Sequence, residues 1–487
     1  MSRPQETTPL LSGQPRQADT EDAPPPRTKA TPLPRKQLFV LCLMRMTEPI
    51  SFTVIFPFVN AMLRANLPSS VPSSRLGYYA GLVESAFAFV QFLTIFFWAR
   101  LSDRIGRKPV LLIGLFGSFL SVNAFGFART FPQMVLARSI AGLMNGNIAI
   151  LKSVLAEVTD ETNQARAFSL IPLCFAVGSI VGNGLGGWLV GVWGGEGEWL
   201  ENHPFWLPCG VASAFNLCAI ITGTLFLKET LPKKTNKVPE QGAEVVEEER
   251  PPSIRSLLAA KSIRRILGTQ LGLNFLNACH AALLPLFCYT AIEQGGLSFT
   301  SADIGTVLAL NGGFTIFIQL IAFPTLERRL GGPARVYVRV TAALPFLWLC
   351  LPLAHQLAIN HSKAWPMAAL VLAIVLKGIS NMSIVSSNLL VNNSAPTRSS
   401  LATLNSVSQM AGCLSRTIGP SFSTSLFAFS TSRGVLGGQL VWLVMWAISA
   451  GTWIMTMKVR APEKASWRVK ARQEETAQRG TEARPQA

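Results

Sequence analysis

Long apolar runs separated by short polar ones organise this chain of 487 residues. Runs of roughly 18 to 25 residues recur about twelve times, each the length a helix needs to cross the hydrocarbon core of a bilayer. In the first half they extend from Gln37 to Met62, Tyr78 to Trp98, Pro109 to Ala128, Met134 to Leu155, Ala167 to Val192 and Phe205 to Leu227. In the second they extend from Ile266 to Ile292, Ile304 to Leu326, Val336 to His355, Trp365 to Leu390, Leu401 to Phe429 and Leu440 to Met457. The pattern predicts an all-α integral membrane protein of twelve transmembrane helices in two pseudo-symmetric six-helix bundles. The expected parts are an N-terminal tail over 1–36, bundles over 37–227 and 264–457, a linker over 228–263 and a C-terminal tail over 458–487.

Charge refines this picture. Lys and Arg total 43 against 26 Asp and Glu, a net charge of +17, yet only 14% of residues are charged and 49% are hydrophobic. With a mean hydropathy of +0.35, the basic excess points to a membrane surface rather than to nucleic acid. One set of loops and flanks holds Arg35, Lys36, Arg100, Arg104, Arg107, Lys108, Arg166, Arg264, Arg265, Arg328, Arg329, Arg335, Arg398, Lys458 and Arg460; the opposite set holds Arg64, Arg75, Arg129, Lys363 and Arg433. By the positive-inside rule both termini and the acidic, Pro-containing linker are cytosolic. Eight cysteines sit mostly inside apolar runs without metal-like spacing and read as small core residues. No metal, cofactor or enzymatic triad is indicated.

The connection between the second and third spans is the densest motif. Trp98-Ala99-Arg100-Leu101-Ser102-Asp103-Arg104-Ile105-Gly106-Arg107-Lys108-Pro109 places an acid, a turn glycine and several bases in a short bend. It resembles the loop signature of the major facilitator superfamily, whose members are secondary transporters, with Ala99 where that signature usually has glycine. The resemblance implies a conformational gate at Asp103, Arg104, Gly106, Arg107 and Lys108. Glu327-Arg328-Arg329-Leu330-Gly331-Gly332 is a worn counterpart about 230 residues on, as internal duplication would produce.

In the fifth span, Gly178-Ser179-Ile180-Val181-Gly182-Asn183-Gly184-Leu185-Gly186-Gly187 is similar to the antiporter signature of drug:proton antiporters, with Asn183 in place of its proline. Ser415-Arg416-Thr417-Ile418-Gly419-Pro420 occupies the corresponding place in the eleventh. Gly182, Gly186, Gly187, Gly419 and Pro420 serve either as hinges or as close helix-packing points. With Arg45-Met46-Thr47-Glu48-Pro49-Ile50-Ser51 in the opening span, the chain resembles the twelve-span branch that includes fungal multidrug efflux pumps and zinc-induced facilitator-like proteins.

Candidate chemistry lies in ionisable groups inside spans, where each buried charge costs at least about 2.5 kcal/mol. Arg45 and Glu48 share a helix face, and Glu48 is the first choice for proton coupling; a permanent structural pair with Arg45 is the alternative. Glu84 is a weaker candidate. Arg138, Gly142, Asn145, Ala149 and Lys152 form one stripe in the fourth span, and the resemblance assigns Arg138 to proton coupling. The second half supplies a substrate cavity from Asn274, Asn277 and His280, Lys377 and Asn381, and Gln409 and Arg416. Lys377 and Arg416 favour an anionic or carbonyl-bearing substrate; His280 alone reads as a satisfied core histidine before a metal ligand.

Two peripheral motifs remain. Glu6-Thr7-Thr8-Pro9-Leu10-Leu11 resembles an acidic dileucine signal, which implies a sorting adaptor at Leu10 and Leu11 and either a plasma or a vacuolar membrane. Asn360-His361-Ser362 is a glycosylation sequon in a non-cytosolic loop. The expectation is a monomeric, proton-coupled exporter of a small amphipathic organic compound. Its alternatives are a vacuolar exchanger or importer of a metabolite or metal chelate, and a nontransporting sensor on the same fold.

Overall fold

The computed structural model describes residues 34–159, 167, 170–191, 202–230, 254–360, 362, 364–395 and 398–459. Most of both tails, much of the linker, the dileucine pair Leu10 and Leu11, and the side chain of Asp103 lie outside the described residues. The described residues are mostly helical, joined by short turns, and helix resumes at Ile254, inside the expected linker.

Helices α1 (Arg35–Thr53) and α2 (Val59–Asn66) make the first pass, α3 (Leu76–Ile105) the second and α4 (Arg107–Gly126) the third. The fourth is split into α5 (Phe131–Met144) and α6 (Asn147–Glu157); α7 (Leu170–Trp188) and α8 (Trp206–Phe226) follow. After the short α9 (Ile254–Ala259) come α10 (Lys261–Tyr289), α11 (Ser301–Phe317), α12 (Phe323–Leu330), α13 (Pro333–Thr341), α14 (Ala343–Asn360), α15 (Ala364–Asn393), α16 (Arg398–Arg433) and α17 (Leu440–Met457).

Nine helical stretches among the described residues are long and apolar enough to span a bilayer. Three further passes, α1 with α2, α5 with α6, and α16, are broken or too polar for that criterion, and with them the architecture is consistent with twelve. These three carry Arg45 and Glu48, Arg138, and Arg416.

The breaks have local causes that continuous sequence runs conceal. Pro57 has no N–H to return to Thr53, whose carbonyl instead accepts from Phe56 N–H at 3.2 Å, so the first pass turns between α1 and α2. Between α5 and α6, Asn145 leaves the helical region at φ −91°, ψ 67°. Its carbonyl accepts from Gln91 Nε2 at 3.2 Å, and that of Leu143 from Trp98 Nε1 at 2.5 Å. A π-turn over Ile318–Ala322 precedes Pro324 in the eighth pass, where the proline removes another donor.

Helices before residue 230 pack as α1 on α7 and α8, and α4 and α3 on α5; those after 254 pack as α10 on α16 and α17, and α15 on α11, α13 and α14. Two seams join the sets, α3 along α16 and α7 along α11. The second span of each half therefore meets the fifth of the other, as a twofold pseudo-symmetry requires. The interspan turns repeat it. Gly106 ends α3 at φ 109°, ψ 157° and Gly332 precedes α13 at φ 126°, ψ 167°, the same extended positive-φ corner that only glycine adopts without strain.

Both seams close at the face opposite those turns. Ser421 Oγ donates to Gly81 O at 3.1 Å and bonds Ser85 Oγ at 2.8 Å, while Trp188 Nε1 donates to Thr306 Oγ1 at 3.1 Å. Gly187 and Gly305 touch backbone to backbone: a Cβ added to either meets the other's Cα at 2.6 Å. Toward the face bearing Gly106 and Gly332, here the basic face, Asn388, Gln409 and Arg416 are exposed.

Gly305→Leu therefore wedges the α7–α11 seam apart. Overpacking of this kind costs about 1–3 kcal/mol, or roughly tenfold or more in the open population. A cysteine placed at Ser85, buried behind the other seam, should then react about tenfold faster with an impermeant maleimide added at the opposite face. Unchanged labelling would show that this seam does not hold the face shut.

Candidate functional site

The first half places two cation–carboxylate pairs at different depths. Arg45 and Glu48 lie three residues apart on α1 and form an ion pair; Arg45 is 5% exposed, Glu48 18%. The Arg45 guanidinium also lies 5.5 Å from the Phe175 ring. Beside it, a shallow cleft lies between α1, α6 and α7, lined by Leu41, Cys42, Leu151, Leu155 and Ile171.

The second pair spans helices. Arg138 on α5 is 3% exposed and sits between the rings of Phe52 and Phe87, 5.3 and 4.7 Å from their centroids. Its Nε and one terminal nitrogen have no hydrogen-bond partner among the described residues. The carboxylate that balances it is Glu84 on α3, buried at 7% exposure and acting through space rather than by contact. Glu84 precedes Ser85, which holds the α3–α16 seam. Sequence places Glu84 below Glu48 because it lies nearer the end of its span; only the packing of α3 on α5 reveals its partner.

In the second half, Lys377 on α15 is 6% exposed and donates from Nζ to Asn277 Oδ1 on α10. Asn381, one turn along, donates to Thr315 Oγ1 at 3.2 Å. Asn274 Nδ2 lies against Gly412. His280, 5% exposed, lies near Lys377 and packs its ring on Trp348, ring centroids 5.8 Å apart, which fits a packed core histidine. Gln409 and Arg416 are exposed on α16. Lipid solvates a charge exposed on a spanning helix poorly. Sequence reasoning missed Gln270, which clamps three helices: it donates to Asn388 Oδ1 at 3.0 Å and accepts from Ser408 Oγ at 2.9 Å.

At the basic face the charged turn is latched to its own half. The backbone N–H groups of Arg107 and Lys108 donate to the two carboxylate oxygens of Glu229 at 2.9 and 3.1 Å, a cap at the positive end of α4 supplied from beyond α8. Arg107 Nε pairs with Glu157 Oε1 at 3.2 Å and its Nη1 donates to Ser102 Oγ at 2.7 Å. Lys108 Nζ donates to Thr224 O at 2.8 Å. Arg104 is exposed. The latch acids, Glu157 and Glu229, sit at span ends where sequence reading assigned no role.

The glycines named as hinges lie at contacts. α7 runs unbroken, with Gly178, Gly182 and Gly186 against the backbone of α1; a Cβ on Gly186 would collide with Val54 O. Gly187 serves the α11 seam, Gly419 rests on Ala278, and Pro420 lies inside α16 where it meets Gly81. Asn360 ends α14 exposed, donating to Gln356 O at 3.1 Å.

Two pseudo-symmetric helical halves, a charged glycine turn at their basic face and paired charges at membrane depth are joined by a direct match. Residues 41–420 match the family model of the Major Facilitator Superfamily. The chain belongs to that family. It is 31% identical to the major facilitator-type transporter psiT2 of Psilocybe cyanescens, over 92% of this chain and 95% of that protein. To the efflux pump azaK of Aspergillus niger it is 30% identical, over 90% and 92%. The fold also matches the crystal structure of a D-xylose-proton symporter, with a TM-score of 0.66 at 13% identity over 89% of this chain and 98% of that one. The protein is thus a multi-pass membrane transporter rather than an enzyme.

The α4 cap makes a local prediction. Glu229→Ala removes both acceptors and should cost about 1 kcal/mol, read as a fall of a few degrees in thermal stability. Glu229→Gln, which keeps one acceptor oxygen, should lose less. Equal losses would assign the effect to charge rather than to the cap.

Proposed function

We propose that the protein exports a small amphipathic organic compound in exchange for protons, by rocking of the halves 37–227 and 264–457 about the seams. The observation that carries this reading is the position of Glu84: it faces Arg138 on one side and adjoins Ser85, bonded to Ser421 across the seam, on the other. Opening that seam would bring water to Glu84 and close the basic-face cavity. A carboxylate wetted in one state and buried against a cation in the other changes protonation as the halves move. The efflux pump among the relatives supports the outward direction, and transport against a gradient requires such a coupling group.

In this reading the Arg45–Glu48 pair stands on the cavity side, where it relays or retains charge while the basic face is open. The basic face is cytosolic, with both tails and the linker on that side, as the excess of Lys and Arg directs. The turn at Arg104, Gly106, Arg107 and Lys108, together with Asp103, regulates closure of that face. The glycines on α7 keep its rigid packing on α1 during the motion.

Proteoliposomes with an imposed pH gradient test the coupling, using a substrate found by comparing compounds retained in cells with and without the protein. Glu84→Gln should lower gradient-driven accumulation at least about tenfold while downhill exchange persists. Glu48→Gln should slow driven transport less. Undiminished accumulation in the Glu84 variant, with loss in the Glu48 variant, would transfer coupling to the Arg45 pair.

Topology has its own measurement. A single cysteine introduced near Glu247 should be labelled by an impermeant maleimide only after the membrane is permeabilised. Labelling in intact cells would invert the orientation.

A further inference from the structure

The two halves differ in how their membrane-depth cations are balanced. In the first, Arg45 has Glu48 and Arg138 has Glu84, while Lys152 stands near Arg45 toward the basic end of α6. In the second, Lys377 and Arg416 have no counterpart. From Ile254 to Val459 the chain contains three acids, Glu293, Asp303 and Glu327. Glu293 lies in a loop turn at the face opposite the basic one, Asp303 is committed to the capping box of α11 with Thr300, and Glu327 stands in the terminal α12 segment at the basic face. None reaches the middle of a span, and the first half's two carboxylates at membrane depth, Glu48 and Glu84, already face arginines.

We infer that the charge missing from this half is carried by the transported compound, an organic anion whose acidic group docks on Lys377 with Arg416 as a second cation at the cavity wall. The assignment rests on the transporter reading above and narrows its substrate. A lysine buried at this depth, whose hydrogen-bond partner among the described residues is the neutral Asn277 and which has His280 nearby, is a preformed seat for an anion. Asn274 and Asn381 flank it on the same two helices, while the apolar spans offer a surface for the rest of the molecule. A carbonyl compound would accept a hydrogen bond from Lys377 yet leave its charge unbalanced. An acidic group, whether carboxylate, sulfonate or phosphate ester, does both.

The test reads the cavity's potential and its ligand preference separately from transport. Asn381→Cys puts a thiol one turn from Lys377; the full-length protein is held in phosphatidylcholine nanodiscs so that no lipid anion competes. Labelling rates are measured with anionic sulfonatoethyl and cationic trimethylammonioethyl methanethiosulfonate, with the background of the parent chain subtracted. The anionic-to-cationic rate ratio should exceed that of a free thiol by about tenfold. Adding Lys377→Gln should remove most of that excess, and Lys377→Arg, which keeps the charge, should retain it. 2-Naphthoate should slow labelling at concentrations where 2-naphthamide does not. A ratio equal to the free thiol's, a ratio unmoved by Lys377→Gln, or protection by the amide equal to or greater than that by the acid would each overturn the assignment. If the ratio is flat while proton-driven export stands, only the anion assignment falls. If export fails while ratio and protection hold, the anion site remains and the transport reading falls.

Discussion

Everything in this structure answers to one constraint: an ionised group at membrane depth must find a partner, because hydrocarbon supplies neither water nor counter-ion. Translocon-type scales put the cost at about 2.5–3.5 kcal/mol for each charge near a span centre. The first half meets it with a short-range pair on one helix, Arg45 with Glu48, and a pair between helices, Arg138 with Glu84. The second kind is the more informative, since its geometry depends on how α3 lies on α5. Phe52 and Phe87 enclose Arg138 so that its face is satisfied by ring quadrupoles while two of its nitrogens stay without acceptors among the described residues.

Backbone groups obey the same constraint. The fourth pass can break beside Arg138 only because Gln91 and Trp98 of α3 take the carbonyls that the break releases. The side chains that tolerate the break thus come from the helix that carries Glu84. Gly146 admits the Trp98 ring so closely that a Cβ there would collide with it. Break, stitch and charge pair form one unit, and a movement of α3 reaches all three together.

Much of this fold is legible in the sequence because its main determinant, apolar length, is written there: the span limits drawn from hydrophobic runs coincide broadly with α3, α4, α8, α10, α15 and α17. The turn glycines Gly106 and Gly332 are legible too, since an acid- and base-rich corner with a glycine admits few other structures. What a single run hides is whatever depends on a second helix. Apolar continuity through Pro57 and Asn145 gives no sign that the helix stops, and a stripe of glycines on α7 looks alike whether it bends or packs. Glu84 is ambiguous in isolation, Glu229 reads as part of a linker, and Gln270 is one polar residue in an apolar span. Their roles come from neighbours more than fifty residues away.

The twofold arrangement of seams explains why small residues gather where they do. Each seam joins the second span of one half to the fifth of the other, and each is closed by backbone approach: Gly81 to Pro420 and Ser421, Gly187 to Gly305. Glycine contacts of this kind contribute dispersion and a few weak hydrogen bonds without interlocking side chains. A boundary so made is tight when shut and loses few specific bonds when it parts, unlike the interdigitated core around Trp348 and Phe287 within the second half. Each half can therefore keep its own packing while the surface between them exchanges one closed face for the other, and the buried charges bordering that surface are the groups whose surroundings change most.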